Sequence, residues 1–279
     1  MKVLFVGDVV GRMGRKTVQA ILPTLIREIE VELVIANGEN AAGGRGLTLT
    51  TAEELFDAGV NVITSGNHVW EHREIYPILD GESPILRPLN YPPGVPGRGL
   101  LVRDGIAFIN LLGRTFIGVD ADCPFRTADS ALERLQDARV IIVDMHAEAT
   151  SEKAALAWYL DGRVSAVVGT HTHVATADAR ILPKGTAFVT DVGMVGPRDS
   201  IIGMEARPII ERFLTQLPTR FSPVEKGPAI FNAVLIDIDQ ATGHAQAIVR
   251  IDRDLPGGSA RSGPSVGRPV GPDLRPRQG

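Results

Sequence analysis

Short runs of β-branched and aliphatic residues recur along the chain, at positions 3–6, 33–36, 60–64, 140–143 and 164–168. Each runs into a cluster containing Gly, Asp, Asn or His. Strands that are apolar at nearly every position are covered on both faces, so these runs predict central strands of a sheet roofed by helices. Amphipathic stretches lie between them. One spans 15–30 and carries Pro23, which is expected to kink or break it. Another spans 49–58, where Thr51 and Glu54 have the spacing of a capping box. A third spans 151–160, with Thr150 or Ser151 as the expected N-cap. Alternating strands and helices predict a layered α/β fold. Two segments read as hairpins instead: 100–112, turning at Arg103-Asp104-Gly105, and 233–251, turning near Ala241-Thr242-Gly243. A mixed sheet, or two sheets packed together, is therefore expected rather than a purely parallel one.

Composition changes this picture only at the end. Residues 256–279 are rich in Pro, Gly, Ser and Arg and have almost no apolar periodicity. Such a segment buries too little surface to offset its ordering entropy and reads as a flexible tail. Residues 1–255 read as one domain. The 279 residues are 44% hydrophobic, 5% aromatic and 22% charged, an ordinary globular composition that needs no disulfides, and the single Cys123 has no intrachain partner. A net charge of -4 excludes bulk electrostatic adhesion to nucleic acid or an anionic membrane. The N-terminal apolar run meets Gly7-Asp8 too soon for a signal-peptide core, and no run reaches the roughly 18 residues of a spanning helix. The expected location is the cytoplasm, with no membrane partner. Self-association is left open.

The strand ends carry the chemistry. They read Gly7-Asp8, Gly38-Glu39-Asn40, Gly66-Asn67-His68, Asp144-Met145-His146 and Gly169-Thr170-His171-Thr172-His173. In α/β sheets the carboxyl ends of strands converge on the binding crevice. Two carboxylates (Asp8, Glu39), two amides (Asn40, Asn67) and four of the six histidines thus gather there. Taken singly, Asp8 or Asn67 could cap a helix, and His146 could be a hydrogen-bonded core histidine. His171 and His173 are expected on a strand, pointing to one side. Together, buried carboxylates and imidazoles without partners cost several kcal/mol each, about 2–7 for a polar group, and metal ions supply those partners. Mixed carboxylate, imidazole and amide ligation without thiolate suits Mn, Fe or Zn. Eight donors suit two ions bridged by an acidic residue, for which Glu39 is the choice. Two ions about 3.5–4 Å apart clamp both oxygens of an in-line displacement at phosphorus, so hydrolysis of a phosphate ester is the expected reaction.

These residues resemble the calcineurin-like metallophosphoesterases, whose pattern runs Asp-x-His, Gly-Asp, Gly-Asn-His, His and Gly-His-x-His. Gly66-Asn67-His68 matches directly, and Gly169 to His173 keeps the terminal His-x-His with Thr170 inserted. Val9-Val10 after Asp8 removes the first histidine, and Glu39-Asn40 replaces the bridging Asp. Gly7-Asp8-Val9-Val10-Gly11, Asn37-Gly38-Glu39-Asn40-Ala41, Ser65 to Trp70 and Thr190-Asp191-Val192-Gly193-Met194 are similar to the bacterial YmdB-type subfamily, along the chain to about Asp252. The resemblance implies a four-layer α/β/β/α sandwich with mixed sheets. It also implies two metal ions, iron first with manganese or zinc as alternatives, and hydrolysis of 2′,3′-cyclic nucleotides to 3′-nucleotides by a hydroxide held between the metals. Carried over by position, Asp8, Glu39, Asn40 and His173 would hold one metal, and Glu39, Asn67, His146 and His171 the other. His68 would face the substrate and protonate the leaving ribose oxygen.

Other signals carry less. Gly7, Gly11 and Gly14 do not have dinucleotide-loop spacing, and no phosphate-cradling loop motif is present. Arg12 and Arg15 read as solvated helix residues, His72 and His244 as surface residues, and Asp191 as a support behind the ligands. The low aromatic content offers no stacking platform for long nucleic acid. The alternatives are a phosphomonoesterase or nuclease on the same metal site, or a regulatory protein that binds a nucleotide and turns it over slowly.

Overall fold

The computed structural model describes residues 1–257. Its strands are β1 (Lys2–Val6), β2 (Asp8–Val9), β3 (Leu33–Asn37), β4 (Val62–Thr64), β5 (Leu100–Arg103), β6 (Ile106–Leu112), β7 (Val140–His146), β8 (Ala166–Thr170), β9 (Arg180–Ile181), β10 (Ala187–Val189), β11 (Met194–Pro197), β12 (Ala229–Ile238) and β13 (Ala245–Leu255). Its helices are α1 (Gly11–Ile29), α2 (Leu49–Asp57), α3 (Tyr76–Leu79), α4 (Pro124–Leu132), α5 (Thr150–Leu160) and α6 (Ala206–Thr215). The expected tail lies, from residue 258 onward, outside the described residues. Among the described residues, no helix is long and apolar enough to cross a membrane.

The strands form two mixed sheets. The first runs β2-β11-β12-β1-β3-β4, with β13 also paired to β12; the second runs β5-β6-β7-β8-β10-β9. Long β12 carries β11 and β1 in succession, through residues 229–231 and 233–237. Parallel pairing of β1, β3 and β4, and of β6, β7, β8 and β10, brings their carboxyl ends out at common edges.

The continuous apolar runs follow from this layering. In β1, Val3 and Phe5 face the core between the sheets, while Leu4 and Val6 face a second core that includes Val18 and Leu22 of α1 and Leu55 of α2. In β7, Val140 and Ile142 face inward, while Ile141, Val143 and Met145 pack with Ala128 of α4 and Leu156 of α5. A period of two that is apolar on both faces reads as an unbroken run. The expected four-layer α/β/β/α sandwich is the fold.

Several local expectations need correction. α1 begins at Gly11 and continues through Pro23. Pro23 lies on the exposed face, where water can serve the carbonyl that loses its N–H partner. The capping box of α2 is Thr48 with Thr51: the Thr48 hydroxyl accepts from the Thr51 N–H and the Thr51 hydroxyl from the Thr48 N–H. Glu54 instead pairs with Arg15 at 2.7 Å. α5 starts after Ala149, without a side-chain cap. The strand expected at 60–64 is shorter because the Val60 N–H closes α2 onto Leu55 O. Both hairpins form. The first turns at Asp104-Gly105, both at positive φ (53° and 76°), which a two-residue hairpin favours. The second is longer than expected, pairing β12 with β13 along its length.

Phe5 is fully buried between the sheets. Phe5→Ala is expected to lower stability by about 3–5 kcal/mol, seen as a lower denaturation midpoint; an unchanged midpoint would contradict this packing.

Candidate metal centre

Asp8 opens β2 immediately after the break at Gly7, Glu39 and Asn40 follow β3, Asn67 and His68 follow β4, His146 ends β7, and His171 and His173 follow β8. All these residues meet at one place. Glu39 is 1% exposed. Its Oε1 lies 3.1 Å from His146 Nε2, 3.4 Å from His68 Nδ1 and 3.2 Å from Asn40 Nδ2. His146 Nε2 also lies 3.2 Å from Asn67 Oδ1 and 3.0 Å from His171 Nδ1. On the other side of Glu39, Asn40 Nδ2 is 3.0 Å from His173 Nε2, which lies 3.8 Å from Asp8 Oδ1. Every residue expected as a ligand is therefore here. The site also requires a glycine at 66, because a Cβ there would collide with the His146 ring and the Glu39 carboxylate.

One expectation about the histidines fails. His171 and His173 do not alternate along a strand; β8 ends at Thr170 and both lie in the following loop, with φ of 101° and 64°. Non-glycine residues hold such conformations only where the surroundings enforce them. Here the enforcing group is Asp191, buried at 0% exposure. Its Oδ2 accepts from the Thr172 N–H at 3.0 Å, between the two histidines, and from Lys153 Nζ at 2.7 Å. Its Oδ1 accepts from Gly193 N–H. The His171 N–H donates to Asp8 Oδ2 at 3.1 Å.

Hydrogen bonds also set which nitrogen each imidazole turns toward the centre. The Thr170 hydroxyl lies 2.9 Å from His146 Nδ1 and donates to Asp144 Oδ1 at 2.7 Å, so Nδ1 is the donor to Thr170 and Nε2 faces inward. Asp144 is held in turn by Asn37 and Thr64. His173 Nδ1 donates to Ile202 O at 2.8 Å, leaving Nε2 inward. His171 Nε2 lies 3.3 Å from Glu148 Oε2, leaving Nδ1 inward. Three rings from three different settings thus present one nitrogen each to the same space.

The charges there are crowded. Burial pushes Asp8 up to about 6, against the pull of His173 and His146. Burial would also raise Glu39, but His146 and His68 hold it well below the usual carboxylate range. Burial works to lower His146, yet Glu39 outweighs it and raises the ring to about 9; burial and the adjacent His146 push His171 down to about 3. A cation held by Glu39 and His146 would compete with a proton on the ring, so binding would release it. Asp8 Oδ1 is buried and has no hydrogen-bond partner among the described residues, the state expected of a ligand atom reserved for a cation. Ligand atoms of Glu39, His146 and His171 all fall within 4.8 Å of one another. The donor set fits a metal ion.

Sequence reading missed four supports. Asp144 shares the face of β7 with His146 at period-two spacing, a signal that was available. Asn37, Glu148 and Lys153 carry no pattern, since their partners are far away in the chain. Of the residues set aside, Arg15 is not solvated as expected but pairs with Glu54 and donates to Ala41 O, next to Asn40; the His72 ring meets Arg45 O, and His244 lies at the second hairpin.

The Lys153–Asp191 pair is fully buried. Lys153→Met would leave Asp191 without its cation and loosen the histidine loop. A loss of about 3–5 kcal/mol is expected, measured by urea denaturation; a variant as stable as the parent would mean that the pair does not clamp this loop.

Known proteins are similar to this chain in sequence and in fold. A family model described as YmdB-like protein matches residues 4–251. A 2′,3′-cyclic-nucleotide 2′-phosphodiesterase of Bacillus subtilis (strain 168) is 50% identical over 256 residues, covering 90% of this chain and 96% of that protein. The crystal structure of a hypothetical protein from Thermus thermophilus superposes with a TM-score of 0.86 at 47% identity, covering 92% of this chain and 100% of the other. That of a novel phosphatase from Mycoplasma pneumoniae gives 0.87 at 35% identity, covering 92% and 95%. With the match running through every strand end that supplies a candidate ligand, this chain belongs to the YmdB-like family.

Proposed function

We propose that this chain, a phosphoric ester hydrolase, opens the cyclic phosphate of 2′,3′-cyclic nucleotides and releases 3′-nucleotides. The observation that carries the proposal is the gathering of the orphaned Asp8 Oδ1, the buried Glu39 and three inward-facing imidazole nitrogens in one space. The B. subtilis relative, named for a 2′,3′-cyclic nucleotide, supports the substrate class.

In this reading Asp8, Asn40 and His173 would hold one metal ion, Asn67, His146 and His171 a second, and Glu39 would serve both. Bound there, two cations supply the positive charge that lowers the pKa of water and neutralises phosphoryl oxygens. Iron is the first expectation, with manganese or zinc as alternatives. The protein residues do the rest. His68 Nδ1 donates to Asn40 Oδ1 at 3.0 Å, and the His68 N–H donates to Glu39 Oε2 at 3.1 Å. This fixes the ring beside the bridge with its side chain 25% exposed, open to a substrate. The water oxygen attacks phosphorus and gives up a proton to solvent, the bond from phosphorus to O2′ breaks, and a proton on His68 Nε2 passes to O2′ and is replaced from solvent. Asp191 and Lys153 keep His171 and His173 from relaxing out of their positive-φ conformations, so the donors stay in place.

Purified protein supplied with iron or manganese is expected to convert 2′,3′-cyclic AMP to 3′-AMP, followed by chromatography. Glu39→Gln and His68→Ala should each lower kcat by about 10²- to 10⁴-fold, and a chelator should abolish turnover until metal is restored. Parent rates in both variants would sink the assignment. Continued conversion to adenosine would indicate a phosphomonoesterase. A metal-loaded protein that binds the nucleotide without cleaving it would indicate a sensor.

A further inference from the structure

The chain has more acidic than basic residues, 33 against 29, yet one cavity of about 720 Å³ beside α4 is lined by Arg87, Arg114, Arg126 and Arg134, with Asp122 as its single acid. Arg87 is the unusual member, being only 8% exposed. Its Nε donates to Pro96 O at 3.2 Å and its Nη1 to Pro88 O at 2.7 Å and Leu89 O at 3.4 Å. Among the described residues no carboxylate pairs with it, and its Nη2 has no partner. The Asp80 carboxylate offsets its charge from beyond ion-pair distance, which leaves the free edge of the guanidinium to an anion in the cavity. The guanidinium groups of Arg114, Arg126 and Arg134 likewise make no hydrogen bond or ion pair among the described residues. Arg126, Ser130 and Arg134 follow one another at four-residue spacing, on one face of α4 and the turn after it.

Four arginines around one hollow create a local positive potential in an otherwise acidic molecule. Their planar forks match the oxygens of a phosphate better than a point charge would. The remaining wall is apolar, with Leu89, Tyr91, Pro93 and Leu100 opposite the helix. The volume falls in the range of small-molecule sites, about 300–1,000 Å³. None of the candidate metal ligands lines the cavity. Tyr91 closes it on one side and packs edge-on against Trp70 at 5.4 Å, two residues beyond His68.

We propose that this cavity is a second anion site, separate from the metal centre, that takes a phosphate monoester joined to a flat apolar ring, of the size and charge of a nucleoside monophosphate. Arg87, Arg126 and Arg134 would hold the phosphate, and Tyr91 and Leu100 would lie against the ring. The site also touches the machinery. Arg114 lines it, and the preceding Gly113 donates its N–H to His146 O at 2.9 Å, so an occupant bears on the end of β7.

Calorimetric titration of the full chain with adenosine 5′-monophosphate, and separately with adenosine, tests this. The monophosphate is expected to bind the parent and a Glu39→Gln/His171→Ala variant alike. Arg126→Ala/Arg134→Ala should weaken it by about tenfold or more without lowering the melting temperature, and adenosine should bind at least about tenfold more weakly than the monophosphate. Four outcomes would each overturn the proposal: no binding to the parent, equal affinity in the arginine variant, binding lost only in the metal-centre variant, or adenosine binding as tightly as its monophosphate. The metal-centre variant separates failure of this site from failure of the proposed phosphodiesterase reading.

Discussion

Asp8 and Glu39 are carboxylates buried to 0% and 1% exposure, set among imidazoles at the carboxyl ends of strands from both sheets. Burying such groups is unfavourable unless charge is returned to them. In this protein the return is incomplete: Glu39 leans on His146 and His68, while one oxygen of Asp8 accepts no hydrogen bond among the described residues. A fold that keeps this arrangement trades stability for a place that fits cations, and much of the surrounding hydrogen bonding serves to hold its shape.

The holding is done mainly by groups that would not themselves touch a metal. Asp144 gathers Asn37, Thr64 and Thr170 beneath His146. Asp191, neutralised by buried Lys153, grips the backbone between His171 and His173. Each anchor lies at or just past the end of a parallel strand, where the sheet is rigid but its last carbonyls and side chains are free to turn toward a ligand. Precise placement of the imidazoles therefore comes from a second tier of buried polar groups, and the first tier inherits its geometry.

The charge distribution supports two different kinds of anion recognition on one molecule. At the strand ends, acids and imidazoles suit cations, and through them a phosphate. Beside α4, unpaired arginines suit a phosphate directly. The net negative charge keeps both local rather than spread over a surface that would attract polymeric nucleic acid.

The sequence alone determined the layered α/β fold, because strands covered on both faces must be apolar throughout. It also picked out the side chains that meet at the site, because acids, amides and histidines at strand ends have no folding role that explains them together. The motifs around Gly7-Asp8, Gly38-Glu39-Asn40 and Gly66-Asn67-His68 were legible for that reason. Tertiary structure decided what depends on partners distant in the chain. It placed His171 and His173 on a loop at positive φ rather than on a strand, carried α1 through Pro23 by facing it to solvent, and moved the α2 cap to Thr48. It also recruited Lys153, Glu148 and Asn37, whose roles have no local signature. Hydrophobic periodicity is a property of neighbours in sequence and can be read from them, whereas the partner of a buried polar group is fixed only when the sheets have packed.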